Sequence, residues 1–222
     1  MKNKLFIFLL FVIFSNSLSA QDNLVQLSLK AGNNAVLGNY SAVSLDVHSV
    51  PCKNFSLKGG LQYNFSSGLV AEARPAFHCD LPKMRLSVEA MLHYMPQYNM
   101  HNVAAGVGFG VRARYLWATL GYYHRSMVSH ASALYEPFNV YYEFGVNILP
   151  YVAICDLMFS ISNSRIFDLE RHYQPSFVLD CMLYPLDRWG IALGCCYKPA
   201  GMFNISSDYY QFYVNLGVCY KW

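Results

Sequence analysis

The sequence predicts an all-β fold: a closed, antiparallel, up-and-down transmembrane β-barrel of about twelve strands, with ten as the alternative count. Apolar and polar residues alternate along segments close to the 9–11 residues that a tilted strand needs to cross a bilayer. Charged residues make up 13% of the chain, about half the ~25% of a typical soluble domain. No long apolar run follows residue 20, which argues against transmembrane helices.

The first twenty residues have the layout of a cleaved signal peptide. Lys2 and Lys4 precede an apolar run over 5–14, and small residues follow up to Ala20. The run is too short for a spanning helix, which needs about 20 residues. We expect cleavage after Ala20, leaving one barrel domain over 21–222. Loss of the two lysines reduces the net charge from +3 to +1, which gives no electrostatic case for nucleic-acid binding.

Twelve segments alternate with a period of two. In 84–94, for example, Met84, Leu86 and Val88 share one face, and Arg85 and Glu89 share the other. The segment 151–161 is apolar on both faces and is the least regular. The predicted strands are 23–31, 40–50, 54–65, 69–79, 84–94, 103–113, 115–125, 139–148, 151–161, 176–184, 189–198 and 209–222.

The links between these segments alternate in length. Short links fall around 51–53, 80–83, 114, 149–150 and 185–188. The others are longer, apart from 66–68: they cover 32–39, 96–102, 126–138, 162–175 and 199–208. Short turns at one end and long loops at the other are typical of an outer-membrane barrel, with both termini on the short-turn side.

A soluble sandwich or lipocalin-like barrel would also alternate, but its apolar face would point inward and its outer face would be charged. Here the less apolar faces carry Asn, Ser, Gln, Gly and charges of both signs. Five glycines on these faces would suit a narrow lumen that needs small residues: Gly106, Gly108, Gly110, Gly190 and Gly194. In lipid an open sheet edge leaves backbone groups unpaired, so the sheet is expected to close.

The seven cysteines are an odd number, and most lie within alternating segments. A disulfide framework would favour an even count, so we interpret them as small hydrophobic residues, with their redox state left open. Their spacing to histidine matches no zinc motif. The sequence therefore predicts neither a metal site nor a cofactor.

The last segment places an apolar and aromatic row on one face: Phe212, Val214, Leu216, Val218, Tyr220 and Trp222. Together with the signal peptide and the repeated alternation, this strand resembles those of Gram-negative outer-membrane β-barrel proteins. The resemblance implies an outer-membrane location with both barrel termini periplasmic, and contact with membrane lipid and lipopolysaccharide. It also implies that the barrel-insertion machinery reads this terminal row during biogenesis, and it leaves the function open.

Charged residues on the opposite faces are candidates for lining the lumen. Glu72 and Arg74 would face Arg85 and Glu89 across a hairpin, where opposite charges can pair. We predict a filled or narrowly open interior, with a wider polar conduit as the alternative. The predicted lumen-lining polar residues are Lys58, Glu72, Arg74, Arg85, Glu89, Arg112 and Glu143.

These features favour a passive role, either narrow small-solute passage or a structural subunit of an outer-membrane assembly. In the second case other outer-membrane proteins would be partners, and the charged link 162–175 is the best candidate for an extracellular contact.

The alternative is an enzyme. His124 and Ser126 resemble the His-x-Ser motif of outer-membrane lipid A deacylases, which implies His124 as the base, Ser126 as the nucleophile and Glu136, in the following loop, as the orienting carboxylate. The residues after Ser126, Met127-Val128-Ser129, depart from that pattern.

Overall fold

Twelve antiparallel strands form a closed barrel in which each strand pairs with its chain neighbours and the first pairs with the last. The computed structural model describes residues 23–34, 38–65, 68–97, 100–129, 132–149, 154–163, 175–199 and 210–222. The strands are β1 (Leu24–Asn34), β2 (Gly38–Cys52), β3 (Phe55–Asn64), β4 (Gly68–Leu81), β5 (Met84–Gln97), β6 (Met100–Arg112), β7 (Leu116–Val128), β8 (Ala133–Asn147), β9 (Cys155–Ser162), β10 (Ser176–Leu183), β11 (Trp189–Lys198) and β12 (Gln211–Lys221).

The predicted fold class is confirmed, with twelve strands rather than ten. The predicted signal peptide, 1–20, lies outside the described residues. Among the described residues, no helix has the length and apolar character needed to cross a membrane.

The seam between β1 and β12 is regular, whereas the β2–β3 and β7–β8 pairings each contain a register shift. It runs without a shift from Leu24 opposite Lys221 to Asn34 opposite Gln211. The start of β1 and the end of β12 therefore lie at one end of the barrel, which we call the terminal end; the opposite end is the distal end. The turns that follow β2, β4, β6, β8 and β10 also lie at the terminal end, because consecutive strands are antiparallel.

The apolar face of each strand points out of the barrel. Leu29, Phe109 and Leu216 are 63%, 68% and 57% exposed, whereas inward neighbours such as Ser28 and Gly108 are buried. A soluble barrel would bury the apolar side chains and expose the polar ones. An apolar outer band around a polar interior is instead the pattern of a transmembrane barrel, in which lipid covers the apolar side chains.

Three predicted long links are mostly strand. β1 reaches Asn34 and β2 begins at Gly38, inside the link expected over 32–39. β5 reaches Gln97 and β6 begins at Met100, so the link expected over 96–102 is short. Likewise β7 reaches Val128 and β8 begins at Ala133, inside the link expected over 126–138. These predictions were wrong because polar residues do not end a strand whose ladder extends past the apolar band: Asn102 and Met127, which are opposite each other, continue the alternation as inward residues. The predicted links 162–175 and 199–208 lie mostly outside the described residues.

Candidate functional site in the barrel lumen

Strand alternation places all seven candidate charged residues on the inward face. Lys58 lies on β3, Glu72 and Arg74 on β4, Arg85 and Glu89 on β5, Arg112 on β6 and Glu143 on β8. Four of them, Lys58, Glu72, Arg74 and Glu143, line one cavity in the lumen. The lumen has two parts of different character, a packed side against β4–β8 and an open side against β1–β3 and β10–β12.

The packed side is built around a buried cation. The side chains of Arg74 and Glu72 are only 8% and 1% exposed, and Arg74 Nε contacts Glu72 Oε1. The guanidinium also lies 3.9 Å from Glu89 Oε1, through Nη1. A charge removed from water must be paired to be tolerated. The two carboxylates, one on the same strand and one on the next, therefore hold the Arg74 head group in place.

Tyr141 on β8 completes this cluster. Its side chain is fully buried, and its hydroxyl donates a hydrogen bond to Glu89 Oε1 at 3.1 Å. Its ring lies 5.9 Å from the Arg74 guanidinium carbon, in cation–π range. The ring crosses the wall over Gly108 and Gly121, where a Cβ atom would overlap it. Glycine at these two inward positions therefore provides the recess that the ring fills.

Sequence reasoning missed the role of Tyr141. The signal was present, because Tyr141 lies between the inward positions Asn139 and Glu143 and therefore also points inward. With Met91, Ala104 and Tyr123 it forms a buried cluster at the centre of the packed side.

Trp117 and Glu143 repeat this arrangement nearer the terminal end. Trp117 Nε1 donates a hydrogen bond to Glu143 Oε1 at 2.9 Å. The indole lies over Gly145, where an added Cβ atom would overlap it. On the packed side, two aromatic side chains, Tyr141 and Trp117, thus lie against glycine residues, and each donates a hydrogen bond to a glutamate carboxylate.

Arg85 has a different partner from the one expected. The β4–β5 register sets it opposite Asp80, and Arg85 Nε donates to Asp80 Oδ1 at 2.6 Å. Glu72 is opposite His93 instead. Arg85 therefore lies at the terminal end of the lumen, beside the β4–β5 turn, and not in the buried cluster.

The open side contains a cavity of about 240 Å³. Charges of both signs line this cavity: the cations are Lys30, Lys58 and Arg74, and the carboxylates are Asp46, Glu72, Glu143 and Asp180. The uncharged lining residues include Gln26, Ser28, Tyr213 and Asn215. Lys58 is exposed to this space. Because Ser28 and Ser44 are small, the facing β1 and β2 positions leave the volume unfilled.

The distal end of the open side is narrowed by a second buried cluster, which consists of Tyr40, Val178, Cys196 and Tyr213. Gln211 Nε2 donates a hydrogen bond to the Tyr40 hydroxyl at 3.0 Å, and the Lys30 ammonium lies 5.3 Å from the Tyr213 ring centroid. Inward residues toward the terminal end, such as Lys58 and Arg112, are by contrast exposed. The cavity is therefore accessible from the terminal end and narrow at the distal end.

Two residues of the enzymatic alternative, His124 and Ser126, lie outside the lumen. β7 continues to Val128, so His124 and Ser126 share the outward face. The His124 ring stacks on Tyr135, with centroids 6.3 Å apart. Glu136 lies in β8, not in a loop as expected, and its Cα is opposite that of Arg125. The structure thus brings His124 and Ser126 together on one face.

The apolar row of β12 lies entirely on the outer face. Tyr220 is flanked by Trp189 and Trp222, with ring centroids 4.8 Å and 6.5 Å away. The Trp222 backbone N–H donates to the Asn23 carbonyl at 3.3 Å. The three rings form an aromatic group at the terminal end, where an interfacial girdle is expected.

No family model matches the chain, and no curated protein matches its sequence. Solved structures with a similar fold include the NanC porin, with a TM-score of 0.58 at 8% identity over 88% of this chain and 100% of that chain. The KdgM porin, in complex with disordered oligogalacturonate, has a TM-score of 0.56 at 9% identity over 90% and 99%. The Salmonella typhi outer membrane phospholipase, a dimer with bound calcium, has a TM-score of 0.51 at 7% identity over 94% and 96%. The chain therefore has the fold of outer-membrane β-barrel proteins.

Proposed function

We propose that this protein is an outer-membrane barrel that passes small hydrophilic solutes through the open side of its lumen. The observation that carries the proposal is the cavity of about 240 Å³, lined by charged and polar side chains inside a closed, externally apolar barrel. A polar cavity in an otherwise lipid-facing structure offers water and small solutes a route that the bilayer does not.

The packed side limits this route to narrow solutes. Tyr141, Met91 and Tyr123 fill the lumen against β5–β8 and are buried. Passage would therefore follow β1–β3 and β10–β12, past Lys30 and Tyr213 to the distal end. Since the lining carries charges of both signs, we expect only weak preference for cations or anions. The shared fold with the NanC and KdgM porins is consistent with passage but selects no solute.

Conductance of the refolded protein in planar bilayers tests the proposal. We expect small, steady single-channel steps for the natural chain, and steps several-fold larger for Tyr213→Ala, which removes a ring from the narrow distal cluster. The matched control is Phe212→Ala, since Phe212 precedes Tyr213 and points to the lipid; it should conduct like the natural chain.

A barrel that migrates as folded on heat-modifiable gels, yet is silent in both the natural and Tyr213→Ala forms, would contradict passage. That result would favour a structural subunit of an outer-membrane assembly. The mass of the particle after gentle detergent extraction would then show whether other outer-membrane proteins accompany it.

We also propose that both termini face the periplasm and that the barrel-insertion machinery recognises the outward row of β12. The aromatic group of Trp189, Tyr220 and Trp222 at the terminal end supports this orientation, because aromatic side chains suit a membrane interface. Deleting Trp222 should lower the amount of assembled barrel in outer-membrane fractions. Natural amounts of the shortened chain in those fractions would contradict a role for this residue in insertion.

A second candidate function is acyl-ester hydrolysis on the outer face. It is supported by the shared outward orientation of His124 and Ser126 near the distal end of β7, where an acyl chain would lie. Replacement Ser126→Ala should then abolish a change in lipid A acylation that the natural protein causes. Ser129→Ala is the control, because Ser129 lies in the next turn and bonds to Ser132. Unchanged lipid A acylation in the Ser126→Ala strain would exclude this function.

A further inference from the structure

Two thiols approach each other on the outer wall of the barrel. Cys155 opens β9 and Cys181 lies near the end of β10, and their Sγ atoms are 3.9 Å apart. In the β9–β10 register Cys155 is opposite Leu183 and Cys181 is opposite Leu157, so the two thiols are diagonal neighbours. Both side chains are half-buried. The inward residues of these strands are Ser160, Ser162, Ser176 and Val178, which places both cysteines on the outward face.

We propose that Cys155 and Cys181 are a modification site: they form a disulfide that joins β9 to β10 in the exported protein. Cysteines on adjacent strands can be bridged when their side chains point toward one another. The two Sγ atoms, now 3.9 Å apart, must approach to about 2 Å, which requires rotation of both side chains and a small shift of the two strands toward each other. Disulfides form and persist outside the cytoplasm, so this inference rests on the outer-membrane location proposed above.

The bond would lie in the part of the barrel wall that has the shortest strands. β9 and β10 have eight residues each, whereas β8 has fifteen. The β8–β9 ladder extends only from Glu143 opposite Ser162 to Asn147 opposite Met158. A covalent link between residues 155 and 181 would also close a loop of the chain that contains the connection from β9 to β10. It would restrict the unfolded chain and hold together the β9–β10 hairpin, whose first strand is joined to β8 by a ladder of only five residue pairs.

The chemistry is a thiol–disulfide exchange with an exported protein disulfide as the oxidant. The thiolate of one cysteine attacks the oxidant's disulfide, which gives a mixed disulfide and releases one oxidant thiolate. The second cysteine thiolate then displaces the other oxidant sulfur. In total the two cysteines lose two protons and two electrons and form one S–S bond. The oxidant's disulfide gains them and becomes two thiols.

Other pairs of cysteines have less suitable positions. Cys195 and Cys196 are consecutive residues on one strand and point to opposite faces. Cys196 and Cys219 both point inward, but Cys196 is opposite Tyr213, six positions along β12 from Cys219. Cys195 is the rival partner for Cys181, since its opposite residue on β10 is Leu179 and it shares the outward face. It therefore provides the matched control.

Alkylation of the full chain tests the proposal. Isolated outer membranes are quenched in acid, and the protein is then denatured without reductant before it is alkylated. Of the seven cysteines, five should react with N-ethylmaleimide before reduction and all seven after it. In Cys155→Ser all six remaining thiols should react without reductant. In Cys195→Ser four of six should react. Peptide mapping should recover one reductant-sensitive peptide pair that contains Cys155 and Cys181.

Seven reactive thiols in the natural chain without reductant would overturn the proposal. Six reactive thiols in Cys195→Ser would overturn it too, by assigning the bond to Cys181 and Cys195. Heat-modifiable gel migration checks that each variant has folded. The number of reactive thiols and the peptide map of the natural chain do not depend on any variant. Fractionation tests the location separately, so a barrel found in the outer membrane with seven free thiols refutes the disulfide and not the proposed function.

Discussion

The packed and open sides of the lumen share one wall but differ in what fills it. The strands of the packed side, β4–β8, are 13–15 residues long and carry Arg74, Tyr141 and Trp117 inward. Their glycines at 108, 121 and 145 leave recesses for the rings. On the open side, β1, β3 and β10–β12 have 8–11 residues, although β2 has fifteen. Small inward residues such as Ser28 and Ser44 leave a cavity there. Packing that stabilises the barrel and the proposed route for solutes thus lie in different parts of one barrel.

The largest expected effect is on the packed side. Tyr141→Ala removes a fully buried ring, its hydrogen bond to Glu89 and its contact with Arg74. We expect the free energy of unfolding to fall by about 3–5 kcal/mol, measured by denaturant titration of the barrel in lipid vesicles. Tyr213→Ala, beside the cavity, should cost about 1–3 kcal/mol, because one side of the ring already borders open space. If the two variants lose the same free energy of unfolding, the packed and open sides do not differ in their contribution to stability.

Arg74→Met should have the next largest effect. It leaves Glu72 and Glu89 without the cation that pairs them, and removing one partner of a buried ion pair costs about 3 kcal/mol. Combining it with Glu72→Gln should recover part of that loss in the same denaturant titration, because one buried charge is then absent. A double variant as unstable as the sum of the two single variants would show that the contact is not a coupled pair.

Trp117→Phe should be milder. The phenyl ring can still occupy the recess over Gly145, but the donor to Glu143 is lost. We expect about 1 kcal/mol of destabilisation. Trp189→Phe is the control, since Trp189 lies on the outer face against Tyr220. If both substitutions have the same effect on the denaturant midpoint, the hydrogen bond contributes nothing measurable.

Lys58→Met should have the smallest effect on stability, within about 0.5 kcal/mol, because its side chain is exposed in the cavity. It should still shift the reversal potential in a salt gradient toward cation preference, since it removes a positive charge from the lining. Lys53→Met, in the exposed turn between β2 and β3, should leave the potential unchanged. An unaltered potential in Lys58→Met would show that ions do not follow the open side.

The period-two alternation, together with the low charge and the alternating link lengths, predicted the barrel, about twelve strands, and the facing of the strands that alternate regularly. It predicted the inward positions of Glu72, Arg74 and Glu143 because a strand's side chains alternate strictly. It misplaced the links at 32–39, 96–102 and 126–138, where the ladders extend beyond the apolar band. Composition alone does not distinguish a polar loop from a polar strand end, because what continues a strand is backbone pairing with its neighbour.

The sequence by itself determined which face of each strand meets lipid, because lipid selects apolar side chains position by position. Only the tertiary structure decided which inward side chains meet. Arg85 pairs with Asp80 instead of Glu72, and Tyr141 reaches Glu89 across β6 and β7. Such contacts depend on strand register and on the curvature that closes the sheet. Both are properties of the paired strands together, and no single segment contains them.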